Sequence, residues 1–418
     1  MLNENQRTRV VITGLGAVTP IGLDVPSSWD NLVNGRSGTR FEQMAADQGF
    51  PCQVAGRVQG FKPEDYLPAR EARRIPRFAQ LALAAAAQAV RDANLEVQNE
   101  ERERVGVLMG TAFGGAIDES QDAAKTLIER GPMKVSPFYM VRLLPNMAAH
   151  HISCYFDTKG YTSTVVVACS SGTQAIGEAT EVLRRGHADV MLAGGTESQL
   201  SPLAVASMSV IGGFSTHNEE PEKASRPFDK NRDGIVGAEG ASVVVLETLE
   251  HARRRGARIY AEVLGYATSA DTSHVSHPDP EGRASARAML WAVKDAGLHI
   301  EQIAYISAHA TATIQGDVAE THAIKLAFGE RAYDVPISAA KSMTGHMSGG
   351  SGAFETVACV KTIETGLLHP TINLDEPDPE CDLDYVPNTA RAAQVRYALN
   401  NSFGFGGQNA CLVLGALS

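Results

Sequence analysis

Val165-Val166-Val167-Ala168-Cys169-Ser170-Ser171-Gly172-Thr173 reads as a strand that stops at a cysteine. Ala175, Ile176, Ala179, Val182 and Leu183 then recur at helical spacing. Strand, sharp turn and helix follow in that order, with Cys169 at the turn. Unpaired N–H groups at a helix start carry partial positive charge. They predict a thiol pKa lowered from ~8.5 into the range ~3.5–7.5, a nucleophile for carbonyls or thioesters at neutral pH. The alternative is a buried, inert cysteine.

The pattern repeats outward. Arg9–Gly16, Arg104–Gly110, Asp189–Gly195 and Gly240–Leu246 are further buried-strand runs, and an Ala-rich helix starts near Phe78 and runs to about Asn94. After about residue 255 the rhythm starts again. Strands are expected at Ile259–Val263, Ala304–Ala308, Ile337–Lys341, Tyr397–Asn400 and Ala410–Leu414, with helices near Ala284–Ala296 and Ala353–Ile363. Strands alternating with helices argue for α/β layers and for two duplicated halves, 1–255 and 256–418.

Composition limits the function. The chain has 418 residues and a net charge of −11, which argues against nucleic-acid binding. Cys52, Cys154, Cys169, Cys359, Cys381 and Cys411 form no CxxC pair and read as reduced thiols of a cytoplasmic protein. Met1–Asn5 resembles no signal peptide, and no apolar run is long enough to span a membrane. Gly14-Leu15-Gly16 lacks the third glycine of a dinucleotide loop. Asp229–Gly234 imitates a calcium loop, but Gly240 stands where the bidentate acid is needed. His150, His151 and Cys154 offer no third and fourth ligand, so no metal site is expected.

Two histidines lie in loops of small residues, Ala308–Thr313 and Thr344–Gly350. His309 and His346 each follow a strand-like run. Lys341 lies five residues before His346, with Glu355 as a possible partner. Asn401–Asn409 is a glycine loop with Phe403 and Phe405, able to turn N–H groups inward as an oxyanion site needs.

Ala168-Cys169, His309 with Thr311 and Thr313, Lys341–His346, Ser225–Asp229, Gly316-Asp317 and Asn401–Asn409 together resemble the β-ketoacyl-acyl-carrier-protein synthases, closest to the elongating type II enzymes. The resemblance covers nearly the whole chain. It implies a thiolase-like, five-layered αβαβα fold of two βαβαβ halves, a homodimer, and no organic cofactor or catalytic metal. By position, Cys169 should hold the acyl chain. His309 and His346 should promote decarboxylation of a malonyl thioester. N–H groups of Cys169 and Phe405 should form the oxyanion hole, Phe405 should gate the acyl pocket, and Phe403 should line it. Lys341 and Glu355 should orient the histidines, and Thr311 and Thr313 should bind the pantetheine arm. Related thiolases carry cysteine in place of one histidine.

The implied reaction is a decarboxylating Claisen condensation of acyl- and malonyl-carrier thioesters in fatty-acid elongation. A polyketide or polyene ketosynthase and a catalytically silent chain-length subunit are the alternatives. Ser307, Ala310 and Ile314 depart from the family's asparagine, glycine and proline. Ala310 predicts a local backbone that does not need positive φ. Phe113 sits where elongating enzymes often carry a smaller residue, so its ring would shorten the chain accepted. Arg70, Arg73, Arg74, Arg77, Arg130 and Lys134 are expected to form a rim that docks the acidic acyl carrier protein.

Overall fold

The computed structural model describes residues 7–417, so the Met1–Asn5 reading lies outside the described residues. Five strands build the first sheet: β1 (Val10–Val18), β2 (Val105–Gly110), β3 (Thr162–Val165), β4 (Val190–Glu197) and β5 (Gly240–Thr248). Five more build the second: β6 (Ala261–Ala270), β7 (Tyr305–Ser307), β8 (Ile337–Ser338), β9 (Tyr397–Gly404) and β10 (Gln408–Gly415).

The orders are β3-β2-β4-β5-β1 and β8-β7-β9-β10-β6, so each strand of one sheet has its counterpart five places on in the other. Directions match too. The first two pairings of each order are parallel and the last two antiparallel. Among the described residues the two sheets join into one continuous ten-stranded sheet through two residue pairs, Val11 with Glu262 and Ile12 with Ala261.

Strand periodicity sets the layers. In β2, Val105, Val107 and Met109 pack outward with helices α1 (Arg77–Asp92) and α3 (Met147–Phe156), α2 being Ala116–Arg130. Leu108 faces inward and joins a core shared with α4 (Ser171–Arg184) and, from the other half, α7 (Ser351–Thr365). In β10, Leu412 and Leu414 face that same core. Val413 faces outward, toward α5 (Arg283–Asp295) and α6 (Ile314–Phe328). Strands buried on both faces are apolar throughout, which is why they read as runs rather than alternations. The result is the expected αβαβα stack, with α4 and α7 as the middle layer.

Glycine permits the close approaches. A Cβ on Gly16 of β1 would stand 1.9 Å from the Ala85 carbonyl oxygen of α1, and one on Gly172 of α4 would stand 2.6 Å from the Gly349 carbonyl oxygen. These neighbours are backbone and cannot rotate away. Strand β3 ends at Val165, two residues earlier than expected, because Val167 N–H turns to Ser171 Oγ instead of a strand. The calcium-like loop spends its acids on the fold. Asp229 accepts the N–H groups of Asn231, Asp375 and Glu376, and Asp233 accepts Thr216. No helix among the described residues is long and apolar enough to cross a membrane.

Gly16→Ala should lower stability by about 1–3 kcal/mol, the usual range for overpacking. A urea midpoint unchanged from wild type would contradict the close packing of β1 on α1.

Candidate active site

The duplicated topology places corresponding turns side by side. Cys169 lies in the single turn Ala168–Ser170 that leads into α4, and His346 lies just before the turn Ser348–Gly350 that leads into α7. His309 follows β7, and Phe405 sits in the hairpin between β9 and β10. Ser170 Oγ donates to the Val167 or Gln408 carbonyl, at 2.8 and 2.9 Å, and so ties the cysteine turn to that hairpin.

Cys169, His309 and His346 converge. One donor atom from each lies within 4.8 Å of the others. The imidazoles meet edge to face, centroids 5.6 Å apart, and the Phe403 ring stands 5.6 Å from His309. Cys169, His309, His346, Thr311, Thr313, Phe403 and Phe405 all line one cavity of about 360 Å³. Cys169 opens on this cavity and is half-buried there.

Burial decides the charge states. It pushes the Cys169 thiol up to about 11, against the opposing pull of Lys341 and the N–H groups of Phe405 and Cys169. This direction opposes the expected neutral-pH thiolate: at Cys169 desolvation outweighs the helix terminus. The same two N–H groups reach the sulfur, and an oxyanion hole would need them to turn to the acyl oxygen beside it. Burial, followed by Lys341, holds both His309 and His346 well below the usual imidazole range, so both are neutral. His346 Nδ1 lies 3.0 Å from Ser351 Oγ, which also accepts the Met347 N–H. The Nε2 of His346 and the Nδ1 of His309 are buried without a hydrogen-bond partner.

Lys341 Nζ pairs with Glu355 in a fully buried contact and donates to the His309 backbone carbonyl at 2.6 Å. It reaches the backbone of His309 and not the ring; its influence on both rings is through space. Burial raises the Glu355 carboxyl to about 6 while Lys341 pulls it down.

Two buried acids, Glu320 and Glu197, were not singled out by the sequence, and Asp317 entered only as part of a motif, without a role. Glu320 accepts the N–H groups of His309 at 2.8 Å and Ala310 at 2.7 Å. Asp317, one turn earlier on α6, accepts those of Phe228 and Ala312. Two acids spaced i, i+3 on one helix were the available signal. Glu197 accepts Thr111 Oγ1 and Ala112 N–H, and burial raises it to about 8.

Other expectations are corrected. Ala310 has φ +40° and Ala312 φ +64°, so the loop after His309 does adopt the conformation that alanine disfavours. Their amides are held there by Glu320 and Asp317. Arg77 is removed from the docking rim: its Nε and Nη2 each donate to Glu239 at 2.7 Å, and that carboxylate is buried. Arg70, Arg73, Arg74, Arg130 and Lys134 are exposed, and Arg74 lies over the Phe138 ring at 5.5 Å. Phe113 is 44 % exposed and does not line the Cys169 cavity.

Family models for the N-terminal and C-terminal domains of β-ketoacyl synthase match residues 7–252 and 260–375. The chain belongs to the β-ketoacyl synthase family. A 3-oxoacyl-[acyl-carrier-protein] synthase 2 from Synechocystis sp. is 45 % identical over 411 residues, spanning 97 % of this chain and 98 % of that relative. A β-ketoacyl synthase from Burkholderia phymatum superposes with a TM-score of 0.91 at 38 % identity, covering 98 % of this chain and 100 % of the other. A type II polyketide ketosynthase solved with its acyl-carrier protein matches at TM-score 0.90 and 36 % identity, over 99 % and 100 % of the two chains.

Ala310→Gly should stabilise the synthase by up to about 1 kcal/mol, the left-handed penalty of ~1–2 kcal/mol less the entropy glycine adds to the unfolded chain. Ala310→Val should destabilise it; denaturation midpoints in the reverse order would contradict the strained loop. Glu197 gives a second expectation. Its folded pKa of about 8 lies above the ordinary 4.5, so the folded state binds more protons between those values and stability falls as pH rises through that window. Glu197→Gln should flatten that fall, by up to about 1.4 kcal/mol per pH unit. An unchanged slope would place the titration elsewhere.

Proposed function

We propose that this chain is an elongating 3-oxoacyl-acyl-carrier-protein synthase, joining an acyl-carrier thioester to malonyl-carrier thioester with loss of carbon dioxide. The observation that carries the reading is the meeting of one thiol and two neutral imidazoles in one cavity. Cys169 Sγ attacks the acyl carbonyl. The N–H groups of Cys169 and Phe405 receive the oxyanion, and the thiol proton passes in the end to the departing carrier thiol. His309 and His346 then donate N–H hydrogen bonds to the malonyl thioester oxygen. The bond to the carboxylate breaks, carbon dioxide leaves, and the electron pair of that bond forms the enolate, which attacks the acyl carbonyl on Cys169; the acyl–sulfur bond then breaks and the Cys169 thiolate takes a proton from water to restore the thiol. Neutral donors suit this step because the charge to be stabilised appears only as carbon dioxide departs. The scheme asks for no cofactor.

Thr311 and Thr313, their hydroxyls 3.1 Å apart on the cavity wall, are assigned to the pantetheine arm. Phe403 lines the acyl pocket and Phe405 gates it. Lys341 and Glu355 set the field around the histidines. Arg70, Arg73, Arg74, Arg130 and Lys134 form the carrier-docking rim; the solved relative with its bound carrier supports a protein partner of that kind. A second copy of the chain is proposed against β3, which has a strand neighbour on one side only and exposes Tyr155, Tyr161 and Val166 beside it. Residues 1–255 and 256–418 are the two halves, and the free cysteines suit the cytoplasm. The fatty-acid reading is preferred over a polyketide one because the 45 % identical relative exceeds the 36 % identical polyketide structure.

Intact-mass analysis with a series of acyl-carrier thioesters should show one acyl group, mapped to Cys169 and absent in Cys169→Ala. Malonyl-carrier thioester should then yield the 3-oxoacyl product. Arg70→Glu with Arg74→Glu should raise the carrier KM more than tenfold and leave transfer from small thioesters unchanged. Acylation elsewhere, or an unmoved KM, would contradict the site or the rim respectively.

A further inference from the structure

We propose that Cys169, His309 and His346 also form a binding site for one soft divalent cation, zinc by the chemistry of its donors, and that the bound ion blocks the thiol. Sulfur with two imidazole nitrogens selects zinc over magnesium or calcium. The three donor atoms lie within 4.8 Å of one another, and both histidines are more than nine-tenths buried. His346 Nε2 and His309 Nδ1 have no hydrogen-bond partner.

Around zinc, bond lengths of about 2.3 Å to sulfur and 2.0–2.1 Å to nitrogen bring donors to roughly 3.5 Å from each other. Small side-chain rotations close that gap. Ser351 Oγ, 3.0 Å from His346 Nδ1, then accepts the N–H of the ligating ring, the outer contact that fixes such ligands. Glu355 offsets the nearby Lys341 charge, and the cavity leaves the fourth position to water.

On binding, the Cys169 S–H bond breaks, its proton goes to the buffer, and a sulfur–metal bond forms with no change of oxidation state. The ion and an acyl group would then exclude each other at one sulfur. The site rests on the geometry of these residues and not on the condensation.

Two exposed sets are the competitors. His150 Nε2 lies 3.6 Å from Cys154 Sγ, and His274 and His277 approach to 3.0 Å at the cavity mouth. Cobalt(II), added to the whole protein without oxygen or substrate, distinguishes them. The expected result is one equivalent bound with a thiolate-to-cobalt charge-transfer band that zinc displaces. The band should vanish in Cys169→Ser and after iodoacetamide alkylation of Cys169, persist in Cys154→Ser, and need at least tenfold more cobalt in His346→Ala. A band that survives in Cys169→Ser, a band lost in Cys154→Ser, or none in folded wild-type protein would overturn the proposal. The spectrum is read without turnover, so loss of the condensation reading would leave it standing.

Discussion

Withdrawal of water from the junction of the two halves governs every charge in the site. Two imidazoles, an ammonium and four carboxyls lie buried around one cavity or directly behind it, and a part-exposed thiol opens on that cavity. Low polarity disfavours each charged form, and it raises acids and lowers bases together. Cys169 moves up and the histidines move down for that single reason. The Lys341–Glu355 pair is the place where charge is kept, because each partner there offsets the other. A site so arranged starts from neutral reactants, and its fixed dipoles act on charge that forms during the reaction.

The junction exists because the fold is doubled. Each half ends a strand in a turn and sends its middle helix into the shared layer. Cys169 precedes one of those helices and His346 the other. The helices come close because Gly172 and Gly349 leave no side chain between them, and Gly195 approaches the same Gly349 carbonyl. A cavity at such a junction draws walls from both halves, which explains why its residues lie so far apart in sequence.

Much of this was legible in the chain. Apolar runs ending in small residues gave the strands and the halves, because strands buried on both faces must be apolar throughout. Cys169, His309 and His346 stood out as reactive side chains among small neighbours. Other features were hidden for physical reasons. A pKa depends on burial, which local sequence does not reveal, so the thiol was read as ionised. The φ of Ala310 is imposed by Glu320, ten residues away on α6. Arg77 looked free beside Arg73 and Arg74, yet its partner Glu239 arrives from 162 positions along the chain.

The central claim is that Cys169 is a neutral thiol at rest, and the pH dependence of its alkylation tests it most directly. Iodoacetamide reaction at Cys169, followed by peptide mapping, should accelerate about tenfold per pH unit and still be rising above pH ~9, since only the thiolate reacts. A rate that levels off near pH ~7 would mean that the sulfur is ionised in the resting site, and the account of a desolvated, uncharged constellation would be wrong.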